Sequence, residues 1–254
     1  MSLIENPNLT KAQPELTAWR RLRFALRRPV QGFQRRRGSM HSPLTRILGA
    51  AEHLFIDHAL FRYIYLNLHR VSPNMERAAQ PSPLHIRAAA RRGVKTVINL
   101  RGERNCASYL MEKKACEENG IKLINFGITS RAAPAPEQIL AFDQLLSEIE
   151  YPALMHCKSG ADRAGIASAL YLLLRENSSF AEAFAQLSLR YGHIRQAKTG
   201  ILDATLMAYA ADAARTNVDF KTWVQDHYDP AEVTRSFHSS RLANIFNDRI
   251  LDRE

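Results

Sequence analysis

Pro152-Ala153-Leu154-Met155-His156-Cys157-Lys158-Ser159-Gly160-Ala161-Asp162-Arg163-Ala164-Gly165-Ile166 is the stretch from which the rest of the chain is read. Residues 152–156 are short and mostly apolar, which predicts a buried strand, and Ala164 to Arg175 has the apolar spacing of a helix. The loop between them enters a helix N-terminus, where backbone N–H groups and the positive end of the helix dipole converge. That arrangement suits a phosphate dianion. Gly160 lets the backbone bend around the anion with no Cβ in the way. Arg163, in the first helical turn, can hold two phosphate oxygens at once, which the compact ammonium of a lysine cannot do. The same field favours the thiolate of Cys157. A thiolate facing phosphorus can attack in line and form a phosphocysteine that water later hydrolyses.

The alternative is an ordinary buried cysteine at a strand end. His-Cys-x-x-Gly-x-x-Arg arises by chance on the order of once in a few thousand chains of this length, before strand and helix context is required, and this favours the anion loop. Working outward, a hairpin is predicted over Leu68 to Gln80, then a helix opened by Pro83 and closed at Gly93. The strand Val94 to Leu100, a helix from Ala107 to Asn119, the strand Ile121 to Phe126 and a helix from Glu137 to Glu148 follow. Strands alternating with helices indicate an α/β fold, a largely parallel central sheet flanked by helices with the phosphate-binding loop between a strand and a helix. From Arg163 onward the pattern is helical, with helices over Ala164 to Arg175, Ser179 to Tyr191 and Gly200 to Arg215 and a charged one after Pro230.

Length and charge set the remaining bounds. The 254 residues suffice for one sizeable core. Cys106, Cys116 and Cys157 have no paired spacing, so neither a disulfide framework nor a zinc site is expected, and a cytoplasmic, reducing compartment fits. Arg20 and Arg21 precede no apolar run, because Arg27, Arg28 and Pro29 interrupt it, and export is not expected. The apolar stretch Ile47 to Leu68 carries Glu52, His53, Asp57, His58 and Arg62, which argues against a membrane span. Of the net charge of +10, most lies in residues 1–50, where ten basic side chains face Glu5 and Glu15 alone. Such an arm, with Trp19, Leu22 and Leu26 as an apolar stripe, fits an anionic membrane surface contacted through residues 1–40, peripheral on its inner face. A solvated tail is the competing reading, and nucleic acid ranks below membrane because no recognised binding motif accompanies the arginines. The helix over Ser42 to Leu66 packs on the core in this reading.

The loop resembles the Cys-x5-Arg signature of the protein tyrosine phosphatase superfamily, in its dual-specificity and lipid-phosphatase-like bacterial branch. The resemblance covers about Leu68 to Tyr209, and Val97-Ile98-Asn99-Leu100-Arg101 looks like the strand that ends beside the active site. It implies no metal and no cofactor, with Cys157 as nucleophile and Arg163 as phosphate clamp. Lys158 is similar to the residue after the cysteine in tensin-like phosphoinositide phosphatases, and Asp162 resembles the aspartate of myotubularins and Sac-type lipid phosphatases. Two departures stand out. The stretch Asn125 to Arg131, where the family keeps its general-acid aspartate, has no carboxylate, and Ala164 stands where a Ser or Thr hydroxyl often helps the cysteine leave. Asp143, in the following helix, is read as a surface residue.

The reading divides the chain into a basic arm and docking helix over 1–66, a phosphatase domain over 67–215 and a C-terminal helical extension over 216–254. The expected catalytic residues are Cys157, Arg163 and Asp162, the last either as proton donor or only as a helix cap that also favours the dipole. Lys158, Ser159, Gly160, Ala161 and Arg101 are expected to contact the substrate, a phosphorylated lipid or a phosphoprotein. His156 is read as a buried residue that orients the loop. A weakly active or inactive phosphate-binding module and an RNA 5′-phosphatase remain the alternatives.

Overall fold

The computed structural model describes residues 66–239. The basic arm and the helix predicted from Ser42 lie outside them, apart from Leu66, as does the end of the C-terminal extension. Strand β1 (His69–Ser72) and β2 (Met75–Ala78) form an antiparallel hairpin with Ser72 opposite Met75. Helix α1 (Pro83–Arg91) starts at a reciprocal cap: Ser82 Oγ accepts from His85 N at 3.4 Å, and Ser82 N donates to His85 Nδ1 at 3.2 Å. Then follow β3 (Thr96–Asn99), α2 (Ala107–Glu118), β4 (Lys122–Asn125), α3 (Pro136–Glu148), β5 (Ala153–His156) and α4 (Asp162–Arg175). Helix α5 (Phe180–Phe184), single 3-10 turns at Leu189–Tyr191 and Lys198–Gly200, α6 (Ile201–Thr216) and α7 (Phe220–Asp226) come next. Helix α8 begins at residue 230 and reaches the last described residue.

The sheet order is β1-β2-β5-β3-β4, parallel from β2 to β4 with only the β1 edge antiparallel, so the largely parallel α/β sheet read from the sequence is the fold. Strand β5 sits at the centre and buries both faces, as its apolar run requires. Met155 and its neighbour Ile98 on β3 point into the larger core, with Phe142, Ile166, Leu202 and Trp223. Leu154 and Val97 point the other way, onto Ile86, Ala89 and Cys116 of α1 and α2. Central placement puts Cys157 at the carboxyl edge of the sheet, where ligands of open α/β sheets bind.

One predicted helix is broken. Ser179 to Tyr191 reads as continuous, but α5 stops at Phe184 and is followed by a separate turn. The cause is long-range: both Gln186 oxygens are taken by Arg77, at 2.7 Å for the main chain and 2.9 Å for the side chain, and Gly192 at φ 80° turns the chain back. Asp143 is also buried rather than at the surface, because Lys221 of α7 at 2.8 Å and Arg175 of α4 at 3.4 Å neutralise it. Helix α7, inside the helical extension read over 216–254, seals the larger core with Phe220, Trp223 and Val224. Trp223 is 1% exposed, packs against Tyr209, Phe220 and Tyr228, and donates its indole N–H to Asp212 Oδ2 at 2.9 Å. Trp223→Ala is expected to lower the free energy of unfolding by about 3–5 kcal/mol, read from denaturant titration.

Candidate active site

The loop from Cys157 to Ala161 is fixed from several sides. Its entry is set by main-chain bonds, Cys157 N to Ala78 O at 3.4 Å and Leu100 N to His156 O at 2.9 Å. Gln80 N reaches Lys158 O at 3.4 Å, and Asn67 Nδ2 donates both to Ser159 O and to Tyr191 O, each at 3.0 Å. Gly160, at φ 76°, turns the loop so that its own N–H points to Cys157 Sγ at 3.2 Å. A Cβ there would lie 2.7 Å from Ala79 N and 2.8 Å from Ala78 C, so glycine is required by space as well as by conformation.

Beneath the loop lies Arg77 of β2, fully buried. Its Nη2 donates to Gly160 O at 2.8 Å and to Ala161 O at 3.0 Å, which ties both carbonyls to one buried group. The guanidinium stacks on Tyr191, 4.0 Å from the ring centroid. Burial pushes its pKa down from 12.5 to about 10, with Tyr191 and the Cys157 sulfur acting to hold it up. It remains a cation near neutral pH, and the four hydrogen bonds of its terminal nitrogens all end on neutral oxygens. The positive potential that remains favours negative charge on the loop above.

A second buried chain supports the loop from the β3 side. His156 Nδ1 lies 3.2 Å from Cys157 O, so the expected orienting role of His156 is visible. Its Nε2 meets Glu112 of α2, and Glu112 Oε2 accepts from Gln80 Nε2 at 2.8 Å. Gln80 in turn accepts from Arg101, whose own N–H is held by Asn99 Oδ1 at 3.0 Å. Arg101 is thereby coupled through buried side chains to the backbone of Cys157.

The predicted site residues fall together. Cys157 is buried at the loop entrance, Lys158 and Ser159 are exposed at its lip, and Gly160 and Ala161 form its floor. Arg163 is half-buried, and its Nε is buried with no hydrogen-bond partner among the described residues. Asp162 occupies the first position of α4 but makes no cap; its Oδ1 instead faces His193 Nδ1 at 2.8 Å. His193, 1% exposed, meets Asp203 Oδ2 with its other nitrogen at 2.6 Å, and Arg195 Nε donates to Asp203 Oδ1 at 3.0 Å. Burial opposes charge on His193, yet the hydrogen bonds and attraction of Asp162 and Asp203 outweigh it and raise the pKa to about 9. Sequence reasoning assigned no role to Arg77, Asn67, Glu112, His193 or Asp203. The one available signal was Arg77, which strand alternation puts on the same face as the apolar Met75. Cys116 is buried, and burial with Glu112 and Glu117 nearby pushes its thiol up to about 12. No helix among the described residues is long and apolar enough to cross a membrane.

A cysteine at the end of a central parallel strand, a glycine-turned loop and an arginine in the first turn of the following helix define a cysteine-dependent phosphatase of the protein tyrosine and dual-specificity superfamily. Within that class the chain belongs to the family described as DSP-PTPase phosphatase fused to NAD+ kinase, whose model matches residues 71–201, about half of the chain. Among solved structures it is similar to TpbA of P. aeruginosa, at 22% identity and a TM-score of 0.48 over 59% of this chain and 89% of that one. It is also similar to a putative phosphatase (DUF442) from Shewanella putrefaciens CN-32, at 20% identity, TM-score 0.45, 57% of this chain and 92% of that one. PTPMT1 is similar at 19% identity, TM-score 0.43, 59% of this chain and 99% of that one. No curated protein sequence matches the chain.

Two predictions follow from the geometry. Gly160→Ala is expected to cost roughly 2 kcal/mol or more of stability, since a left-handed backbone and a backbone clash coincide, and to abolish binding of phosphate analogues. Calorimetry and vanadate titration read these. The second concerns pH. Because the His193 pKa rises from 6.5 in the unfolded chain to about 9, its stabilisation is fully present below pH 6.5 and is lost as pH climbs through 9. Unfolding free energy measured between pH 6.5 and 9 therefore falls more steeply in the native chain than in His193→Gln.

Proposed function

We propose that the chain is a phosphomonoesterase that works through a phosphocysteine intermediate. The observation that carries this reading is the pairing of a Cys157 sulfur that accepts the Gly160 N–H with an Arg163 whose buried Nε has no partner among the described residues. The first sits at the start of a loop tied to the buried Arg77 cation, and an anion satisfies the second. Cys157 attacks phosphorus in line, the S–P bond forms as the bond to the leaving oxygen breaks, and Arg163 holds two of the equatorial oxygens. Backbone N–H groups of Lys158, Ser159, Gly160 and Ala161 line the phosphate site. Asp162, beside Arg163, gives the leaving oxygen its proton; no carboxylate in Asn125 to Arg131 competes for that task. Water then cleaves the S–P bond, and Ser159 stands in for the hydroxyl that Ala164 lacks.

The substrate in this reading is a phosphorylated lipid or a phosphoprotein. Exposed Lys158 at the lip and Arg101 at the rim add positive charge around the phosphate, and the basic arm, residues 1–40, supports docking on an anionic membrane surface. Assay of phospholipids, phosphopeptides and 5′-phosphorylated RNA with the native chain and Cys157→Ser tests activity and substrate class together. The serine variant is expected to lose roughly three or more orders of magnitude in turnover on the lipid or phosphopeptide while still binding vanadate. Phosphate should be trapped on Cys157 after rapid acid quench of the native enzyme. Vanadate binding without turnover or trapped phosphate would instead identify a phosphate-binding module.

A further inference from the structure

We propose that Asp203, His193 and Asp162 form a proton relay for the leaving group, with His193 as the positioning residue that recharges Asp162. The proposal rests on the phosphocysteine reading above, in which Asp162 protonates the leaving oxygen, and adds the group from which Asp162 draws that proton.

The geometry makes the argument. Both ring nitrogens of His193 face carboxylate oxygens, Asp162 Oδ1 at 2.8 Å and Asp203 Oδ2 at 2.6 Å. Two such short contacts need two protons, one in each, since a nitrogen lone pair cannot face an ionised carboxylate oxygen at that distance. The proton between His193 and Asp162 can therefore rest on either partner, giving an imidazolium beside two carboxylates or a neutral imidazole beside a protonated Asp162. Burial decides where it can leave. The His193 and Asp203 side chains are 1% and 4% exposed, whereas Asp162 is 28% exposed and adjoins Arg163 in sequence, so Asp162 is the member of the trio open to solvent beside the Cys157–Arg163 loop. The charged groups facing the ring come from three elements: Asp162 on α4, Asp203 on α6, and Arg195 between them, which acts through its bond to Asp203. A raised His193 pKa agrees with a stored proton at neutral pH.

In the first step the arriving dianion raises negative charge beside Asp162 and draws the shared proton to its carboxylate. The Cys157 sulfur bonds to phosphorus, the P–O bond to the leaving group breaks, and the leaving oxygen takes the proton from Asp162. His193 is left neutral, with its remaining N–H on Asp203. In the second step water attacks phosphorus, the thiolate departs with its electron pair, and the proton released by water passes through Asp162 back to His193 Nδ1. One water is consumed, and one alcohol and one phosphate are released.

Leaving-group dependence separates this role from mere support of the loop. A primary alkyl phosphate needs a proton on its leaving oxygen, while an aryl phosphate with an acidic phenol needs little help. His193→Gln is expected to lose at least about tenfold more kcat on the alkyl than on the aryl substrate, with vanadate binding retained, and the alkaline limb of the native alkyl profile near pH 9 should disappear. Asp203→Asn, which removes charge but keeps an acceptor, is expected to move that limb to lower pH, and it decides the matter should His193→Gln not fold. Equal losses on both substrates, or an alkaline limb unmoved in Asp203→Asn, would overturn the relay while Cys157-dependent turnover upholds the phosphatase reading. A native chain with no Cys157-dependent turnover would sink both.

Discussion

Everything around the phosphate loop depends on one buried cation. Arg77 spans from the loop to the segment after α5, binding the carbonyls of Gly160 and Ala161 on one side and both oxygens of Gln186 on the other. Placing an arginine in a core costs several kcal/mol unless its hydrogen bonds are met, and here the loop carbonyls and Gln186 satisfy the two terminal nitrogens. The exchange fixes two things at once. Loop carbonyls are drawn down onto the guanidinium, and the chain after α5 is held close enough for Tyr191 to stack on the same group. Gly165 is part of this fit, since a Cβ there would lie 2.7 Å from Leu187 and 2.9 Å from Gln186 O.

Around that cation the site is held by two polar chains of different character. On the β3 side His156, Glu112, Gln80 and Arg101 form a chain that starts at the Cys157 backbone, entirely through buried groups except at Arg101. On the α6 side Asp162, His193, Asp203 and Arg195 link the helix start to the surface. The first chain ends on Cys157, the second on the residue beside Arg163. Low dielectric strengthens both, and incomplete pairing in either would be costly.

Much of this was legible in the sequence, because the signals were local. The strand, loop and helix from Pro152 to Arg175, the Pro83 and Gly93 boundaries and the parallel sheet all follow from periodicity and from residues with special backbone needs. That Cys157, Gly160 and Arg163 share one strand-to-helix loop was legible because the segment is contiguous. The supports were not. His193 meets Asp162 across 31 residues and Arg77 meets Gly160 across 83, and a lone histidine or strand arginine shows no pattern at either separation. The broken helix after Ser179 failed for the same reason: its propensity is helical, but Arg77 claims the Gln186 carbonyl from more than a hundred positions away. Asp143 was misplaced because its neutralising partners, Arg175 and Lys221, lie on other helices.

The Asn67 amide, bonded to Ser159 across 92 residues and to Tyr191 across 124, bears on the order in which the molecule is made. Contacts that long close late, after most of the chain has been synthesised and the entropy of large loops has been overcome. A nascent chain that has just emerged past Arg163 already contains the complete signature, yet neither Tyr191 nor Gln186 is present to seat Arg77 and Asn67. In that interval Cys157 lies on an unfinished loop. The bonds that hold the loop from Cys157 to Ala161 are thus completed only with the last third of the domain.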